Sequence, residues 1–456
     1  MAGAPGVERA RVERLLADES ARFVRERPGS AERLARARRS MPRGVPMSWM
    51  DDLYDHPPVW ISRGKGSRFW DCDSHEYVDF YVADMSAFCG HAPEPVVAAV
   101  AEQMARGNQF LLPGEDAIPL AEHLAARYGL PMWQFTLSAT QANTEVIRLA
   151  RHATGREVVL VFDGKYHGHV DATLVVLEGD RLAPEYLGLP AGVEKSTRVV
   201  PFDDVEALER ALAPGDVALV LTEPALTNAG FLLPSPGFHA ALRELTRAAG
   251  TLLAIDETHT LVTAYGGLTG AWRLEPDLLT LGKAIAAGIP LGTYGMTHEL
   301  AELLGPPEDA YVVSGVATGE IATGGTLFGN ALSLAAGRVA LTEVLTEAAY
   351  EHAAALGGRL ATGVRTTFAE HGLDWSVAYE GAHAYYFFAP EPPHDAAASR
   401  EADDPDLRAL IRVSMANRGI WESGWWLGPT VSVAHGEDCV DEYLSVLDDC
   451  LGAVRG

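Results

Sequence analysis

Residues 94–295 alternate between stretches with helical apolar periodicity and short runs that are apolar at almost every position. The periodic stretches predict helices at 94–106, 117–128, 141–154, 205–212 and 237–249. The apolar runs predict strands at 133–137, 158–162, 198–202, 217–221, 252–255, 278–281 and 291–295. Short apolar runs between helices are typical of a parallel sheet that is covered on both faces. The pattern therefore predicts a large α/β domain with a mostly parallel seven-stranded sheet.

The two ends of the chain follow other patterns. The first 40 residues are charged and amphipathic, and 59–81 alternates between polar and apolar positions, which predicts helix followed by a short antiparallel meander. After residue 330 we expect a long Ala/Leu-rich helix, two strands near 376–389, a helix at 406–417, a Trp-rich strand and a last helix at 437–454. We expect the two ends to form a smaller α+β domain. The predicted division is 1–70 (part of the small domain), 71–330 (the large domain) and 331–456 (the rest of the small domain).

The composition of the chain disfavours several classes of function. The chain has 456 residues, with 36 Lys and Arg against 62 Asp and Glu, a net charge of −26. Nucleic acids and anionic membranes require a basic surface, so we expect neither as a partner. No apolar run approaches the ~20 residues of a membrane helix, and the acidic residues near the N-terminus argue against a targeting signal. Four cysteines without C-x-x-C spacing indicate reduced thiols, a cytoplasmic protein and no zinc site.

Lysine is scarce, and this restricts any chemistry that needs a primary amine. The only four lysines are Lys65, Lys165, Lys195 and Lys283. Lys283 alone is followed by an apolar segment, Ala284–Ile289, whereas the others lie among Gly, Tyr or Ser in predicted loops. An amine that is partly withdrawn from water is a usable nucleophile. The alternative for Lys283 is a side chain that extends its charged end into solvent.

Polar side chains follow several of the predicted strands. Asp256 ends the strand at 252–255, and Lys283 follows the next strand at 278–281. Ligands of open parallel sheets bind beyond the carboxyl ends of the strands, so these two side chains are expected to share a site. An isolated Asp at a strand end is otherwise most often a turn residue.

Two further segments have the composition of anion-binding turns. Residues 138–143 place hydroxyl groups and free backbone N–H groups at a predicted helix start, and 323–330 is a Gly-rich turn before another helix. Each is weak by itself, because Ser and Thr commonly cap helices. Tyr166 follows the strand at 158–162, where an aromatic ring can stack on a flat ligand. Together with the lysine and the carboxylate, these parts describe a site for pyridoxal 5′-phosphate, a planar phosphorylated aldehyde.

Four motifs in order resemble the class-III aminotransferases of pyridoxal-phosphate fold type I. They are 138–143, 166–171, Asp256-Glu257 followed 27 residues later by Lys283, and 325–330. The resemblance extends from about residue 41 to the end of the chain, and within the family it is strongest to the glutamate-1-semialdehyde aminomutase group. It implies the large and small domains described above and a homodimer with shared active sites.

The resemblance also implies roles for individual residues. Lys283 corresponds to the lysine that forms the Schiff base with the cofactor, and Asp256 to the partner of its ring nitrogen. Thr326 corresponds to a threonine that reaches the phosphate of the neighbouring subunit. The full set of cofactor-binding residues implied is Ser138, Ala139, Thr140, Tyr166, His167, Glu223, Asp256, Thr258, Lys283 and Thr326.

The chain departs from the family pattern where the aminomutase group binds a substrate carboxylate. Met50 occupies the position of that group's arginine, and 420–427 lacks the arginine of related β-amino-acid enzymes. A site without a guanidinium fork holds a carboxylate weakly. The alternative is that Arg43 or Arg418 takes over this role.

Other departures concern the phosphate loop and the substrate pocket. Ala139 replaces the usual glycine of the phosphate loop, and Thr258 replaces a usual valine. We expect Trp49, Met50 and Trp425 near the substrate, which favours apolar or aromatic amines.

Three hypotheses follow for the function. The first is an aminotransferase that moves an amino group between an amine or amino acid and a carbonyl acceptor. The second is an intramolecular aminomutase of the glutamate-1-semialdehyde type, for which the missing arginine makes that substrate itself unfavourable. The third is a protein that binds the cofactor without transamination, or a nucleotide-binding protein. The chain has neither G-x-G-x-x-G nor G-x-x-x-x-G-K-[ST], which disfavours nucleotide binding.

Overall fold

The computed structural model describes residues 6–179, 181–305, 312–313, 316–317, 321–423 and 428–455. The helices are α1 (Arg9–Glu26), α2 (Pro28–Ala37), α3 (Trp49–Asp52), α4 (Glu94–Arg106), α5 (Ala117–Tyr128), α6 (Ala139–Thr154), α7 (Val205–Leu212), α8 (Phe238–Ala249), α9 (Gly267–Ala271), α10 (His298–Glu302), α11 (Ala331–Val339), α12 (Glu347–Glu370), α13 (Ala396–Glu401), α14 (Pro405–Ala416) and α15 (Glu437–Arg455). The strands are β1 (Ile61–Lys65), β2 (Arg68–Asp71), β3 (Glu76–Asp79), β4 (Met132–Thr136), β5 (Val158–Phe162), β6 (Val175–Glu178), β7 (Arg181–Pro184), β8 (Thr197–Val200), β9 (Val217–Thr222), β10 (Leu252–Asp256), β11 (Leu278–Leu281), β12 (Gly292–Met296), β13 (Val312–Val313), β14 (Val316–Ala317), β15 (Ser376–Glu380), β16 (His383–Phe387) and β17 (Ile420–Trp421).

The chain divides into two compact units. The central unit comprises Glu94–Glu347 with the short segment His394–Ala396. The terminal unit comprises Met1–Pro93, Ala348–Pro393 and Ala397–Gly456, so it draws on both ends of the chain.

The central unit is built on a seven-stranded sheet in the order β4-β12-β11-β10-β9-β5-β8. The strands β11, β10, β9, β5 and β8 are parallel to one another, and β12 is antiparallel to both β11 and β4. Strands β5, β9 and β11 are buried at every position, as expected for a sheet covered on both faces. The predicted mostly parallel seven-stranded α/β fold is confirmed.

The terminal unit contains the predicted meander and one addition to it. Strands β1, β2 and β3 are antiparallel, and β17 joins β3 in parallel from the other end of the chain. Phe23 of α1, Tyr77 of β3 and Trp421 of β17 share one apolar cluster. These contacts join the first and last segments of the chain.

The division between the units differs from the predicted division at residues 70 and 330. It falls after Pro93, because β3 pairs with β17 and so holds residues 71–93 in the terminal unit. It falls after Glu347, because α11 packs against α4 and α5. The long helix expected after residue 330 is likewise two helices, α11 and α12, separated by a π-helical turn at Ala340–Val344. Among the described residues, no helix combines the length and the apolarity needed to cross a bilayer.

Candidate functional site

Asp256 and Lys283 lie at the carboxyl ends of two neighbouring parallel strands of the central unit. Asp256 is the last residue of β10, where it is in register with Thr280 of β11, and Lys283 follows β11 by two residues. Lys283 is half-buried, and its φ of 48° lies in the left-handed region, which costs a residue with a Cβ about 1 kcal/mol. A strained non-glycine residue at a strand end is typical of a functional position.

Asp256 is buried and held by three hydrogen-bond donors. Its Oδ2 accepts from Asn143 Nδ2 at 2.8 Å and lies 3.0 Å from His167 Nδ1, and its Oδ1 accepts from the Thr258 N–H at 3.0 Å. Thr280 fixes the Asn143 amide in turn, by donating to its Oδ1 at 2.9 Å. Burial by itself raises the pKa of the Asp256 carboxyl, but the hydrogen bond and charge of His167, with the other two donors, lower it to about 2. Asp256 is therefore a fixed negative charge at neutral pH.

Lys283 is hydrogen-bonded into a second buried group of side chains. Its Nζ contacts Nε2 of His259, and Nδ1 of His259 contacts the hydroxyl of Thr227. The same hydroxyl donates to Oε2 of Glu223, which also accepts from the Thr227 N–H at 3.2 Å. Burial, aided by the nearby charge of Asp256, raises the pKa of Glu223 to about 8 against the lowering effect of the Thr227 hydrogen bonds.

The start of α6 offers an anion site. Ser138 caps the helix by accepting from the Gln141 N–H at 3.4 Å, and the first N–H groups of α6, of Ala139 and Thr140, have no carbonyl partner within the helix. Hydroxyls and free N–H groups at a helix N-terminus bind phosphate well.

Two glycines allow this turn to lie against the rest of the site. Gly168 has φ of +85°, and a Cβ there would overlap the Thr140 hydroxyl and lie 2.8 Å from its Cα. A Cβ on Gly282, next to Lys283, would lie 2.9 Å from the Cβ of Ala139. The phosphate-binding turn, the loop of His167 and the residue before Lys283 are thus in direct contact.

The other predicted cofactor residues of the central unit are Tyr166, Thr258 and Thr326, and they lie in three separate segments. Tyr166 lies one residue before His167 and is half-buried, and Thr258 lies two residues after Asp256. Thr326 is exposed in the loop that precedes α11, where its carbonyl accepts from Gln109. Hydrogen bonds join His167 and Thr258 to Asp256, and Lys283 to Glu223 by way of His259 and Thr227.

The predicted substrate residues belong to the terminal unit. Met50 is exposed on α3 and lines a cavity of about 410 Å³, and Trp49 is half-buried on the same helix. The cavity is lined by mainly apolar side chains, among them those of Val45, Leu53, Tyr54, Trp60 and Trp421. Asp79 and His91, which are in hydrogen-bond contact at 2.8 Å, also line it. Trp425 lies outside the described residues.

The two arginines considered as replacements for the missing carboxylate-binding residue already have carboxylate partners. Arg43 donates to Asp51 at 3.0 Å and to Asp52 at 2.6 Å. Arg418 donates to Glu19 at 2.8 Å and also to a backbone carbonyl of α14. Both guanidinium groups are therefore engaged by acids of the protein itself.

Three residues of the two buried groups were not singled out by sequence: Asn143, Thr227 and His259. Asn143 was visible as part of the motif 138–143, one helical turn after Thr140 on α6, which places it on the same face. His259 was visible three residues after Asp256. Thr227 carried no signal, because its contact with His259, 32 residues later in the chain, is made only in the folded protein.

The donor set and several unpartnered atoms fit pyridoxal 5′-phosphate. The site offers an amine at Lys283, a fixed carboxylate at Asp256 and an anion site at the start of α6. Three buried polar atoms near these groups have no hydrogen-bond partner in the described part of the chain: His167 Nε2, Thr258 Oγ1 and Glu223 Oε1. Buried polar groups are normally satisfied, so such atoms indicate a ligand with polar edges. Within the described ranges no cluster of three His, Cys, Asp or Glu side chains is suited to a metal ion.

Comparison with known proteins gives consistent matches. The profile of the family "Aminotransferase class-III" matches residues 49–373. Glutamate-1-semialdehyde 2,1-aminomutase of Gemmatimonas aurantiaca is 35% identical over 432 residues, which are 93% of this chain and 96% of that protein.

Solved structures give matches of the same kind. A crystal structure of a glutamate-1-semialdehyde-aminomutase from Pseudomonas aeruginosa PAO1 matches with a TM-score of 0.92 and 39% identity, over 98% of this chain and 100% of the other. A Lys-to-Ala variant of that aminomutase was solved in complex with PMP. An omega-transaminase from Sphaerobacter thermophilus matches with a TM-score of 0.86 and 31% identity, over 95% and 100% of the two chains.

Proposed function

We propose, since the chain belongs to the class-III aminotransferase family, that it moves an amino group between two carbon atoms of one substrate molecule, as an intramolecular aminomutase does. The cofactor is pyridoxal 5′-phosphate. The observation that carries the chemistry is the pairing of Lys283 with Asp256 at neighbouring strand ends. The observation that favours intramolecular transfer is the identity of 35–39% to glutamate-1-semialdehyde aminomutases over nearly the whole chain.

When bound, pyridoxal 5′-phosphate supplies an aldehyde that condenses with amines and a protonated ring that takes up the electron pair of a broken C–H bond. Lys283 Nζ is the amine that would hold this aldehyde. As a free amine, the same nitrogen would accept and return the proton of the substrate carbon. The anionic Asp256 carboxylate would keep a proton on the ring nitrogen. A buried carboxylate can do this only if it stays ionised, and its three donors ensure that.

The other residues position these groups. Ser138, Ala139 and Thr140 would bind the phosphate through the start of α6, and Tyr166 and His167 would contact the ring. Thr258 provides its N–H to Asp256 and leaves a buried hydroxyl for the cofactor. Glu223 is connected to Lys283 indirectly, through Thr227 and His259.

We propose that the substrate is apolar where glutamate 1-semialdehyde carries its carboxylate. Met50 cannot hold a carboxylate, and Arg43 and Arg418 are engaged by Asp51, Asp52 and Glu19. A second candidate function follows from the same segment. The alternative is an intermolecular aminotransferase that accepts apolar or aromatic amines and a separate carbonyl acceptor. It is favoured because Met50 lines an apolar cavity of the terminal unit.

We also propose a cytoplasmic homodimer in which Thr326 serves the partner's site. Thr326 is exposed, and its carbonyl contacts Gln109. Three consecutive apolar residues of the central unit, Phe110, Leu111 and Leu112, are 56–74% exposed. Contiguous exposed apolar side chains of this kind mark interfaces.

The test is turnover of candidate amino aldehydes and amines by the purified protein, with and without a carbonyl acceptor. An aminomutase converts its substrate without any acceptor, whereas an aminotransferase stops after one equivalent per site. Lys283→Ala is expected to abolish turnover and the visible band of the bound cofactor. Lys195→Ala, which removes an exposed lysine, is the matched control and is expected to retain both. Turnover by Lys283→Ala at the wild-type rate would contradict the proposal.

A further inference from the structure

Lys165 is a buried lysine in the loop that carries Tyr166 and His167. This loop, residues 163–170, follows β5 and is called the β5 loop below. The Lys165 side chain is 3% exposed, whereas Lys65 and Lys195 are exposed residues. A buried ammonium group is costly unless it is paired and hydrogen-bonded. The position of Lys165 therefore requires partners inside the fold.

The ammonium group of Lys165 is bonded to the base of the hairpin formed by β6 and β7. Its Nζ donates to the Val175 carbonyl at 2.9 Å and to Oε2 of Glu185 at 3.0 Å. Val175 begins β6, and its direct partner in β7, Pro184, has no N–H group to donate. Glu185 comes next in the chain, and its own N–H donates to the Leu174 carbonyl at 2.9 Å. One side chain thus connects the β5 loop to the ends of both strands of the hairpin.

The β5 loop also supplies a donor to the buried carboxylate of the site. Nδ1 of His167 lies 3.0 Å from Oδ2 of Asp256, and the His167 carbonyl accepts from Asn143 Nδ2 at 3.0 Å. His167 is only two residues after Lys165, and Tyr166 lies between them. An anchored ammonium group, a residue expected at the cofactor ring and a donor to Asp256 are therefore consecutive in the chain.

We propose that Lys165 is a positioning residue, which holds the β5 loop on the β6–β7 hairpin and so keeps His167 against Asp256 and Tyr166 in place for the cofactor ring. The inference rests on the proposed roles of Asp256 and Tyr166. It does not depend on whether the amino group moves within one molecule or between two.

The link made by Lys165 can be lost without loss of the fold. A buried ion pair can often be replaced by apolar residues of similar size with little cost in stability. Methionine keeps the unbranched shape of the lysine side chain. Glu185 is 23% exposed, so its carboxylate can be hydrated once the ammonium group is gone. Removal of the amine should therefore free the β5 loop while the central unit stays folded.

Movement of His167 would change the protonation of Asp256. The titratable groups around Asp256 are His167 of the β5 loop, Glu223 after β9 and Lys283 after β11. Burial raises the pKa of Asp256, but the hydrogen bond and charge of His167, with two other donors, lower it to about 2. Without His167 at Oδ2, that pKa rises towards its ordinary value. Asp256 would then be protonated, and would lose its hold on a ring nitrogen, at a higher pH.

Hydrogen–deuterium exchange of the holoenzyme tests the inference without catalysis. Peptides that cover residues 163–173 report the mobility of the β5 loop, and peptides of α8 report the rest of the central unit. The rate at which pyridoxal 5′-phosphate is released, followed by its absorbance from pH 4 to 8, is the second readout.

Lys165→Met is the decisive variant, because it removes both hydrogen bonds of the ammonium group. We expect exchange in 163–173 and release of the cofactor to be about tenfold faster at pH 7, as the loss of charge-assisted hydrogen bonds predicts. We expect the acceleration of release by acid to begin about half a pH unit higher than in the wild type. Exchange in α8 and the midpoint of chemical denaturation should stay close to the wild type.

Two variants of Glu185 separate its hydrogen bond from its charge. Glu185→Leu should give the same changes at about threefold, because the Val175 carbonyl still accepts from Lys165. Glu185→Gln keeps an acceptor oxygen and should stay within about twofold of the wild type. Since the two side chains act as a unit, Lys165→Met combined with Glu185→Leu should be no worse than Lys165→Met alone.

Arg198→Met is the matched control for the loss of an ion pair. Arg198 of β8 pairs with Asp216 at 2.8 Å, and Asp216 directly precedes β9, at the amino edge of the sheet. This pair is thus at the opposite edge from Asp256. We expect wild-type exchange in the β5 loop and wild-type release of the cofactor.

Three results would overturn the inference. They are wild-type exchange of the β5 loop in Lys165→Met, an acid profile of release that does not move in that variant, and equally fast release in Arg198→Met. If Lys165→Met does not fold, the Glu185 pair decides, and equal behaviour of its two members contradicts the inference. A failure of the proposed function is a separate observation, because it appears as turnover that survives Lys283→Ala.

Discussion

Two buried carboxyl groups lie at the ends of adjacent strands of the central sheet, and their pKa values are shifted in opposite directions. Asp256 ends β10 and Glu223 follows β9, and the register of Ile255 with Thr222 places them side by side. Both are fully enclosed, yet the pKa of Asp256 is lowered to about 2 and that of Glu223 is raised to about 8.

The difference between them comes from hydrogen-bond donors. Asp256 has donors on both oxygens, including an imidazole that carries charge when protonated. Glu223 has donors on one oxygen, from a single threonine. Burial by itself therefore does not decide the charge of a carboxyl group; the number and type of donors that the fold brings to it does.

The largest expected effect is that of removing the charge from Asp256. We expect Asp256→Asn to lower kcat/KM by about 1,000-fold, because an amide cannot hold a proton on the ring nitrogen. Steady-state kinetics measure this. Glu257→Gln, which removes the carboxylate next to it, is the control and is expected to keep kcat/KM within tenfold. A rate for Asp256→Asn close to that of the wild type would refute the role of the charge.

The next effect tests the packing that brings His167 to Asp256. We expect Gly168→Ala to lower the free energy of unfolding by about 2–3 kcal/mol and to weaken cofactor binding, because its Cβ overlaps Thr140 and its φ is +85°. Gly188→Ala is the matched control, since Gly188 has φ of +86° but no atom within 4 Å of the added Cβ. Chemical denaturation measures the free energy of unfolding of both variants, and the difference between them is the effect of crowding. Equal losses of stability in both variants would show that only the backbone strain matters.

A smaller effect isolates the main donor to Asp256. We expect His167→Leu to raise the pKa of the Asp256 carboxyl towards its ordinary value and to lower kcat/KM about tenfold, since one pKa unit corresponds to about 1.4 kcal/mol. His167→Asn retains a donor near Nδ1 and is expected to lose less. The readout is the acid limb of the pH–rate profile, which should move to higher pH in His167→Leu only.

The smallest effect at pH 5 is expected for Glu223→Gln, because glutamine resembles the protonated carboxyl. The two proteins should unfold with free energies within about 1 kcal/mol of each other at that pH. The folded state keeps the Glu223 proton up to about pH 8, whereas the unfolded chain loses it near 4.5. The wild type should therefore lose stability relative to the variant as the pH rises from 4.5 to 8. Parallel stability curves over this range would show that Glu223 is ionised in the folded protein.

Local elements were predicted closely from the sequence. Helices α4, α5 and α7 begin and end at the predicted residues, because apolar periodicity and end residues are local properties. All seven strands of the large sheet were predicted within a few residues of their positions. The order of the strands and the antiparallel direction of β12 were not, since pairing depends on segments far apart in sequence.

The candidate site also has features that the sequence predicts and features that only the fold determines. The sequence by itself determined the family, the fold class and the cofactor, through four motifs that resemble the class-III aminotransferases. It also predicted Asp256 and Lys283 at neighbouring strand ends, because strand-end residues can be identified from the pattern. The roles of individual residues, of Trp425 and of a second subunit through Thr326 stay predictions. Only the tertiary structure decided that the pKa of Asp256 is lowered and that of Glu223 is raised, and that His259 and Thr227 connect Glu223 to Lys283. Charge in a buried site depends on donors from separate strands and loops, and no local stretch of sequence contains that information.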